Sequence, residues 1–290
     1  MIRWTSSGAV SSPRTVQIRV QRRYPSRLQA GAPMPTRSLS EAELRANIVH
    51  FTAGMRTPRS APCTALVLSG AGVVHRADIP DAIALARSEG VRWVTLHIDA
   101  SDLTTLSPDK LPAADVVTIP ARPDALDAVA AAVGTARAAG VRPIVSVALS
   151  VESVVAMPEI VAALRGAAPA RVVLTYPFPT GAAAEVPPPE EAVAAVREAL
   201  PLLAAVGIDA SVKGLPACYL GDAGERLSRT INRWYVDADH QLGSALLFFP
   251  GVAAFYKAEV CRYCAADYRC DGFFREYLDR VGAQPLAPAY

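Results

Sequence analysis

The stretch LDAVAAAVGTARAAGVRPIVSVAL, residues 126–149, decides the fold class. Its first part is Ala-rich and helix-like, and it ends at Gly140. Glycine just past a helix accepts the left-handed backbone that stops it. The run that follows, residues 141–149, is apolar and β-branched without strict alternation, the pattern of a strand buried on both faces. The same unit occurs around this one. Residues 81–89 end at Gly90 and lead into residues 91–98, and residues 190–206 end at Gly207 and lead into residues 208–212. Two further runs, residues 115–119 and 171–176, read as strands of the same kind. Toward the start, Ser40-Glu41-Ala42-Glu43 is a capping-box pattern that opens a helix to about Phe51. It lies between strand-like residues 15–20 and 64–68. Six strands therefore alternate with about five helices between Thr15 and Gly207. Such alternation implies parallel strands joined by right-handed helical crossovers. A barrel, whole or partial, is expected, with any chemistry at the C-terminal ends of its strands.

The chain has 290 residues, of which 51% are hydrophobic and 19% charged, enough to bury a sizeable core. The 29 basic residues nearly balance the 27 acidic ones, giving a net charge of +2. This excludes the strong basic excess of a dedicated nucleic-acid binder, so no nucleic-acid partner is expected. Residues 245–256 form the most apolar run, but Pro250-Gly251 interrupts it, and no run approaches the roughly 18 residues of a membrane span. The first fourteen residues are polar and read as an N-terminal arm without a secretion signal. A cytoplasmic chain without a membrane partner is expected. Its organisation reads as an arm (1–14), a barrel (15–215) and a C-terminal extension (216–290) packed on that barrel.

The extension holds four of the five cysteines. Cys261 and Cys264 are separated by two residues, Cys270 follows after five more, and Cys218 lies upstream in Gly214-Leu215-Pro216-Ala217-Cys218. The short spacing lets a turn present two sulfurs on one side, and four thiolates suit an iron–sulfur cluster or a structural zinc. Free cysteine also serves as a small hydrophobe, so four buried thiols are the plain alternative. Cys63, alone at the start of a strand, reads as a packed core thiol.

Together these features resemble the radical SAM superfamily over residues 15–286. The resemblance implies an α/β fold, a partial (β/α)6 TIM-like barrel, with a cysteine-containing extension similar to the SPASM and twitch types. In a full SPASM run a fourth cysteine comes after three further residues, where Phe274 stands here. One [4Fe–4S] auxiliary cluster on Cys218, Cys261, Cys264 and Cys270 is implied, with zinc as the alternative. The family's CxxxCxxC loop follows its first strand, holds a [4Fe–4S] cluster and leaves one iron to chelate S-adenosylmethionine. The corresponding stretch is Arg22-Arg23-Tyr24-Pro25-Ser26-Arg27-Leu28-Gln29-Ala30-Gly31, with Tyr24, Leu28 and Gly31 at the cysteine positions. No cysteine precedes Cys63, and CxxxCxxC occurs nowhere in the chain. The family's Gly-Gly-Glu, at the end of strand two, contacts the methionyl amino group. Leu68-Ser69-Gly70-Ala71-Gly72 takes its place, with Gly72 where the acid would be. Two separate parts of the S-adenosylmethionine site are thus replaced, and the chemistry belongs to the cofactor.

The resemblance therefore implies a catalytically silent partner subunit of an active radical SAM enzyme, in peptide or natural-product modification, with a peptide or small molecule as substrate. Two other functions stay open: an iron–sulfur electron-transfer or substrate-anchoring module, and a barrel enzyme working without a cluster. For the last, His97 and Asp99 fall on one face at the end of the third strand, and Tyr176 and Lys213 lie at later strand ends. Asp237-Ala238-Asp239-His240 is metal-compatible in composition but reads as a solvated or capping loop. The basic loop of residues 22–27 reads as exposed. The pairs Phe248-Phe249, Phe255-Tyr256 and Phe273-Phe274 are read as shielding the cysteines or forming an interface.

Overall fold

A computed structural model describes residues 13–22, 35–54, 61–177, 186–248 and 255–280. Tyr24, Leu28 and Gly31, and most of the basic loop that contains them, lie outside the described residues.

The chain alternates as its sequence predicts. Strand β1 (Thr15–Arg19) leads to helix α1 (Glu41–Val49), then β2 (Ala65–Ser69), α2 (Ile79–Ser88), β3 (Trp93–His97) and the short α3 (Ala100–Thr104). Next come β4 (Val116–Ala121), α4 (Leu126–Ala138), β5 (Arg142–Ala148), α5 (Val151–Val155), α6 (Met157–Ala167), β6 (Arg171–Thr175), α7 (Pro189–Ala204) and β7 (Asp209–Lys213). The capping box forms: Ser40 Oγ accepts the Glu43 amide at 3.3 Å, and the Ser40 amide donates to Glu43 Oε2 at 2.8 Å. Gly90, Gly140 and Gly207 follow their helices in left-handed backbone.

All seven strands pair in parallel with their sequence neighbours. Helix α4 shows why the sheet is covered on one side. It buries Val129, Ala132, Val133 and Ala136, spaced to form one stripe, against strand residues that are fully buried, among them Val117, Ile119, Val145 and Val147. The alternate residues of the same strands, Thr118, Ile144 and Ser146, point to the other face and stay half-buried.

The extension departs from a merely attached segment. Its strand β8 (Arg233–Val236) pairs in parallel with β1, and β9 (Leu246–Phe248) adds antiparallel to β8. The order is β7-β6-β5-β4-β3-β2-β1-β8-β9, a nine-stranded sheet whose ends do not pair among the described residues. The sequence rhythm missed β8 because no Ala-rich helix ending in glycine precedes it. The rest of the extension forms α8 (Ala217–Leu220), the hairpin of β10 (Phe255–Tyr256) with β11 (Phe273–Phe274), and α9 (Arg275–Arg280). Among the described residues no helix is long and apolar enough to cross a membrane.

Candidate functional site

The uncovered face of the curled sheet is polar. Gln17 and Arg19 on β1, His97 on β3, Ser211 and Lys213 on β7, and Arg233 and Tyr235 on β8 share the phase that points away from the helices. Their helix-facing neighbours, Ile18, Leu96, Val212 and Val236, are 0% exposed. Arg19 Nη1 reaches Tyr235 Oη at 3.4 Å, and Gln17 Nε2 reaches Ser69 Oγ at 3.4 Å. Burial and then the charges of Arg233 and Lys213 hold His97 down to about 3, so the imidazole is neutral at pH 7. Those two cations come from opposite ends of the strand order. Their joint action on His97 requires the sheet to curl around a lumen.

At the C-terminal ends of the strands, Asp99 precedes α3 without capping it through its side chain. Burial, then the nearby charge of Asp102, raises Asp99 to about 6, against a smaller pull from Arg122. The acid is thus harder to ionise folded than unfolded, so the stability it contributes is full below its ordinary 3.8 and is lost as pH rises through about 6. Asp99→Asn is expected to match the parent in urea unfolding at pH 4 and to exceed it by about 1 kcal/mol at pH 7.5, after discounting for solvent screening. Equal offsets at the two pH values would contradict this environment for Asp99.

Gly72 stands where the resemblance places an acid. It adopts φ 71° and ψ 17°, and its amide donates to Asp102 Oδ2 at 2.9 Å. A side chain at this position is strained in left-handed backbone, and the amide is already engaged by a carboxylate from α3.

Tyr176 is a correction. It was expected at the barrel mouth, but it is in phase with Val172 and Leu174, on the helix side of β6. It is 0% exposed, its hydroxyl donates to Pro187 O at 2.7 Å, and its ring packs against Phe273 and Tyr277. Burial pushes the phenol upward. Cys63 is the packed thiol its sequence context predicts: 1% exposed, with Sγ 3.5 Å from Pro13 O and a thiol pushed up to about 12 by burial.

The cysteines of the extension are all free thiols. Consecutive tight turns fold their segment back on itself: the Cys264 amide donates to Cys261 O at 3.0 Å, Asp267 to Cys264 O at 3.0 Å, and Cys270 to Ala266 O at 2.9 Å. Cys270 is buried, and its sulfur accepts the amides of Ala217 at 3.4 Å and Gly272 at 3.3 Å. The Ala217 contact brings the start of α8, which carries Cys218, against the cysteine loop. Cys261 is raised by burial and, further down, by Cys270 and Cys264, so these three sulfurs share one electrostatic neighbourhood. Lys257 Nζ pins the loop to Asp267, and Asp271 fixes it to the Arg229 side chain and the Thr230 amide. Burial and its neighbouring thiols keep Cys261 from ionising in the bare protein, and a bound cation reverses that preference. Among the described residues no three Cys, His, Asp or Glu side chains are drawn to metal-ligand spacing. The donors fit a thiolate-bound centre in kind and neighbourhood, and binding requires the sulfurs to close together.

One polar site was legible only in part. Asp237, read as a solvated or capping loop residue, is 0% exposed and caps the loop. Its Oδ1 accepts the amides of Asp239 and His240, each at 2.9 Å, and lies 2.9 Å from His240 Nδ1. Gln241 and Asn47 then tie this loop to α1 through a 3.0 Å bond. The sequence signal was the adjacency of Asp237 and His240 to a strand end. The Phe pairs divide: Phe255 stacks on Phe274 with centroids 4.4 Å apart, and Phe273 packs into the barrel's aromatic core. The Phe248 side chain and Phe249 lie outside the described residues.

No family model matches the chain, and no curated protein matches it. Solved structures do. The chain is similar in fold to anSMEcpe, a structure with bound AdoMet, at a TM-score of 0.58 and 10% identity, over 90% of this chain and 89% of that one. It is also similar to Streptococcus suis SuiB bound to S-adenosylmethionine, at a TM-score of 0.52 and 9% identity, over 95% of this chain and 74% of that one. At such low identity the likeness is one of fold. It shows that this α/β fold, with its mostly parallel sheet, is shared with these two structures.

Proposed function

We propose that this chain is a radical SAM-like protein that has given up S-adenosylmethionine cleavage and serves as the partner subunit of an active radical SAM enzyme. The active subunit modifies a peptide or a natural product, and this chain presents substrate or shapes the pocket. Its extension binds one auxiliary iron–sulfur cluster through Cys218, Cys261, Cys264 and Cys270. The observation that carries the reading is Gly72, a left-handed residue with its amide on Asp102 in place of the acid. The absence of any cysteine before the buried Cys63 agrees with it. The two amides on the Cys270 sulfur support the cluster, because N–H donors stabilise a thiolate ligand. When bound, a cluster supplies a one-electron site; the chain's own residues hold it and fix its loop through Lys257 and Asp271.

A second reading, a barrel enzyme using cluster-independent chemistry, is favoured by Asp99, whose titration near pH 6 suits proton transfer. His97→Gln with no loss of a detected activity removes its main support.

The test is anaerobic co-expression with candidate partners, followed by iron, sulfide and zinc analysis. About four irons per chain are expected for one [4Fe–4S] centre. Cys264→Ser and Cys270→Ser are each expected to reduce iron to background while the chain still pulls down a CxxxCxxC-containing protein. Zinc in place of iron overturns the cluster. Formation of 5′-deoxyadenosine by the chain alone overturns the silent-subunit reading.

A further inference from the structure

The lumen of the curled sheet has a charge pattern that packing does not explain. Lys213 ends β7 on the inward face, and its side chain makes no hydrogen bond or ion pair with another described residue. Burial first, then Arg233 and Arg171, press its ammonium below the usual lysine range, and only Asp271 pulls the other way. Asp271 is already engaged, its Oδ1 by Arg229 at 3.2 Å and its Oδ2 by the Thr230 amide at 2.7 Å. Asp209 pairs with Arg171 and Arg226 at the exposed foot of β7. Neither carboxylate is thus free to neutralise Lys213.

Two residues in from the strand end, Ser211 is 3% exposed, and its hydroxyl has no hydrogen-bond partner. It shares Lys213's phase, so it points into the same lumen. A buried hydroxyl without a partner is destabilising, and a ligand oxygen relieves that cost. The neutral His97 imidazole, acted on by Arg233 and Lys213, adds an N–H donor without adding charge. The wall leaves room for an occupant. Thr95, Thr118, Ser146 and Thr175 on this face are half-buried, whereas their helix-facing neighbours Leu96, Val117, Val145 and Leu174 are at most 1% exposed.

We infer that the lumen binds an oxyanion, a carboxylate or a phosphate carried by a small ligand, with Lys213 and Arg233 supplying charge and Ser211 and His97 supplying hydrogen bonds. This inference goes beyond the role proposed for the cysteines and stands whether or not they hold iron.

The test is calorimetric titration of the full chain, purified anaerobically, with glutarate and with inorganic phosphate at constant ionic strength, and with chloride as the control. Saturable binding of glutarate alone assigns a carboxylate, binding of phosphate alone assigns a phosphate, and either supports the site. Lys213→Met is expected to weaken that binding at least tenfold, in line with loss of a charge-assisted hydrogen bond. The same variant is expected to melt no lower than the parent without ligand, since it removes a desolvated cation. Lys213→Arg keeps the charge and is expected to retain binding. Should Lys213→Met fail to fold, Ser211→Ala carries the test and is expected to weaken binding several-fold. Absence of saturable binding by either anion, or binding indifferent to both substitutions, overturns the site. Neither result bears on the iron content, so this inference and the proposed cluster fail separately.

Discussion

Phe273→Ala is expected to lower the free energy of unfolding by about 3–5 kcal/mol, the range for truncating a fully buried aromatic. Phe273 is 0% exposed and packs against rings from three parts of the chain: Tyr176 at 5.8 Å, Tyr219 at 5.6 Å and Tyr277 at 6.0 Å between centroids. Tyr176 follows β6 of the barrel, so the substitution removes one of the contacts that seat the extension on it. The ring also lies next to Gly272, whose amide holds the Cys270 sulfur. Iron content is therefore expected to fall together with stability. Urea unfolding checks the first effect and metal analysis the second. A loss below about 1 kcal/mol contradicts a docked extension.

Gly214→Ala is the companion experiment, with an expected loss of about 3 kcal/mol. Gly214 directly follows Lys213 and has φ +80°. A β-carbon there falls 2.7 Å from Tyr176 O and 3.2 Å from both Tyr176 Cβ and the Phe274 ring. Backbone strain and a clash with main chain act together, and neither is relieved by a side-chain rotation. Because Phe273 and Gly214 both bear on Tyr176, the double variant is expected to lose less than the two single losses added. Strict additivity in unfolding measurements counts against a shared contact.

Both predictions rest on a junction that no local pattern announced. From the sequence Tyr176 reads as a strand-end residue. Its place was decided by phase: two residues after Leu174 it must face the helices, where Phe273 and Tyr277 meet it. The aromatic pairs near the cysteines were read as shielding them or forming an interface; in the structure Phe255 stacks on Phe274. Phe273 instead joined the barrel core, because β10 and β11 pair antiparallel and turn its ring that way.

The functional candidates divide in the same manner. The Cys261, Cys264 and Cys270 turns follow from spacing, since a CxxC segment closes through hydrogen bonds between near neighbours. Gly72 and the missing early cysteines were also legible, because a motif is a statement about adjacent residues. The proposed oxyanion site was legible only in part. His97 and Lys213 stood out as strand-end candidates, whereas Arg233 and Ser211 carry no signal of their own.

The sequence by itself determined the alternation of seven strands with their helices, the capping box at Ser40, the helix stops and the clustering of thiols. All of these come from interactions within a few residues along the chain. Only the tertiary structure decided that β8 adds beside β1, that Tyr176 is core, and that cations from opposite ends of the sheet face one lumen. Those outcomes depend on strand order and curl, which arise from register between segments more than two hundred residues apart.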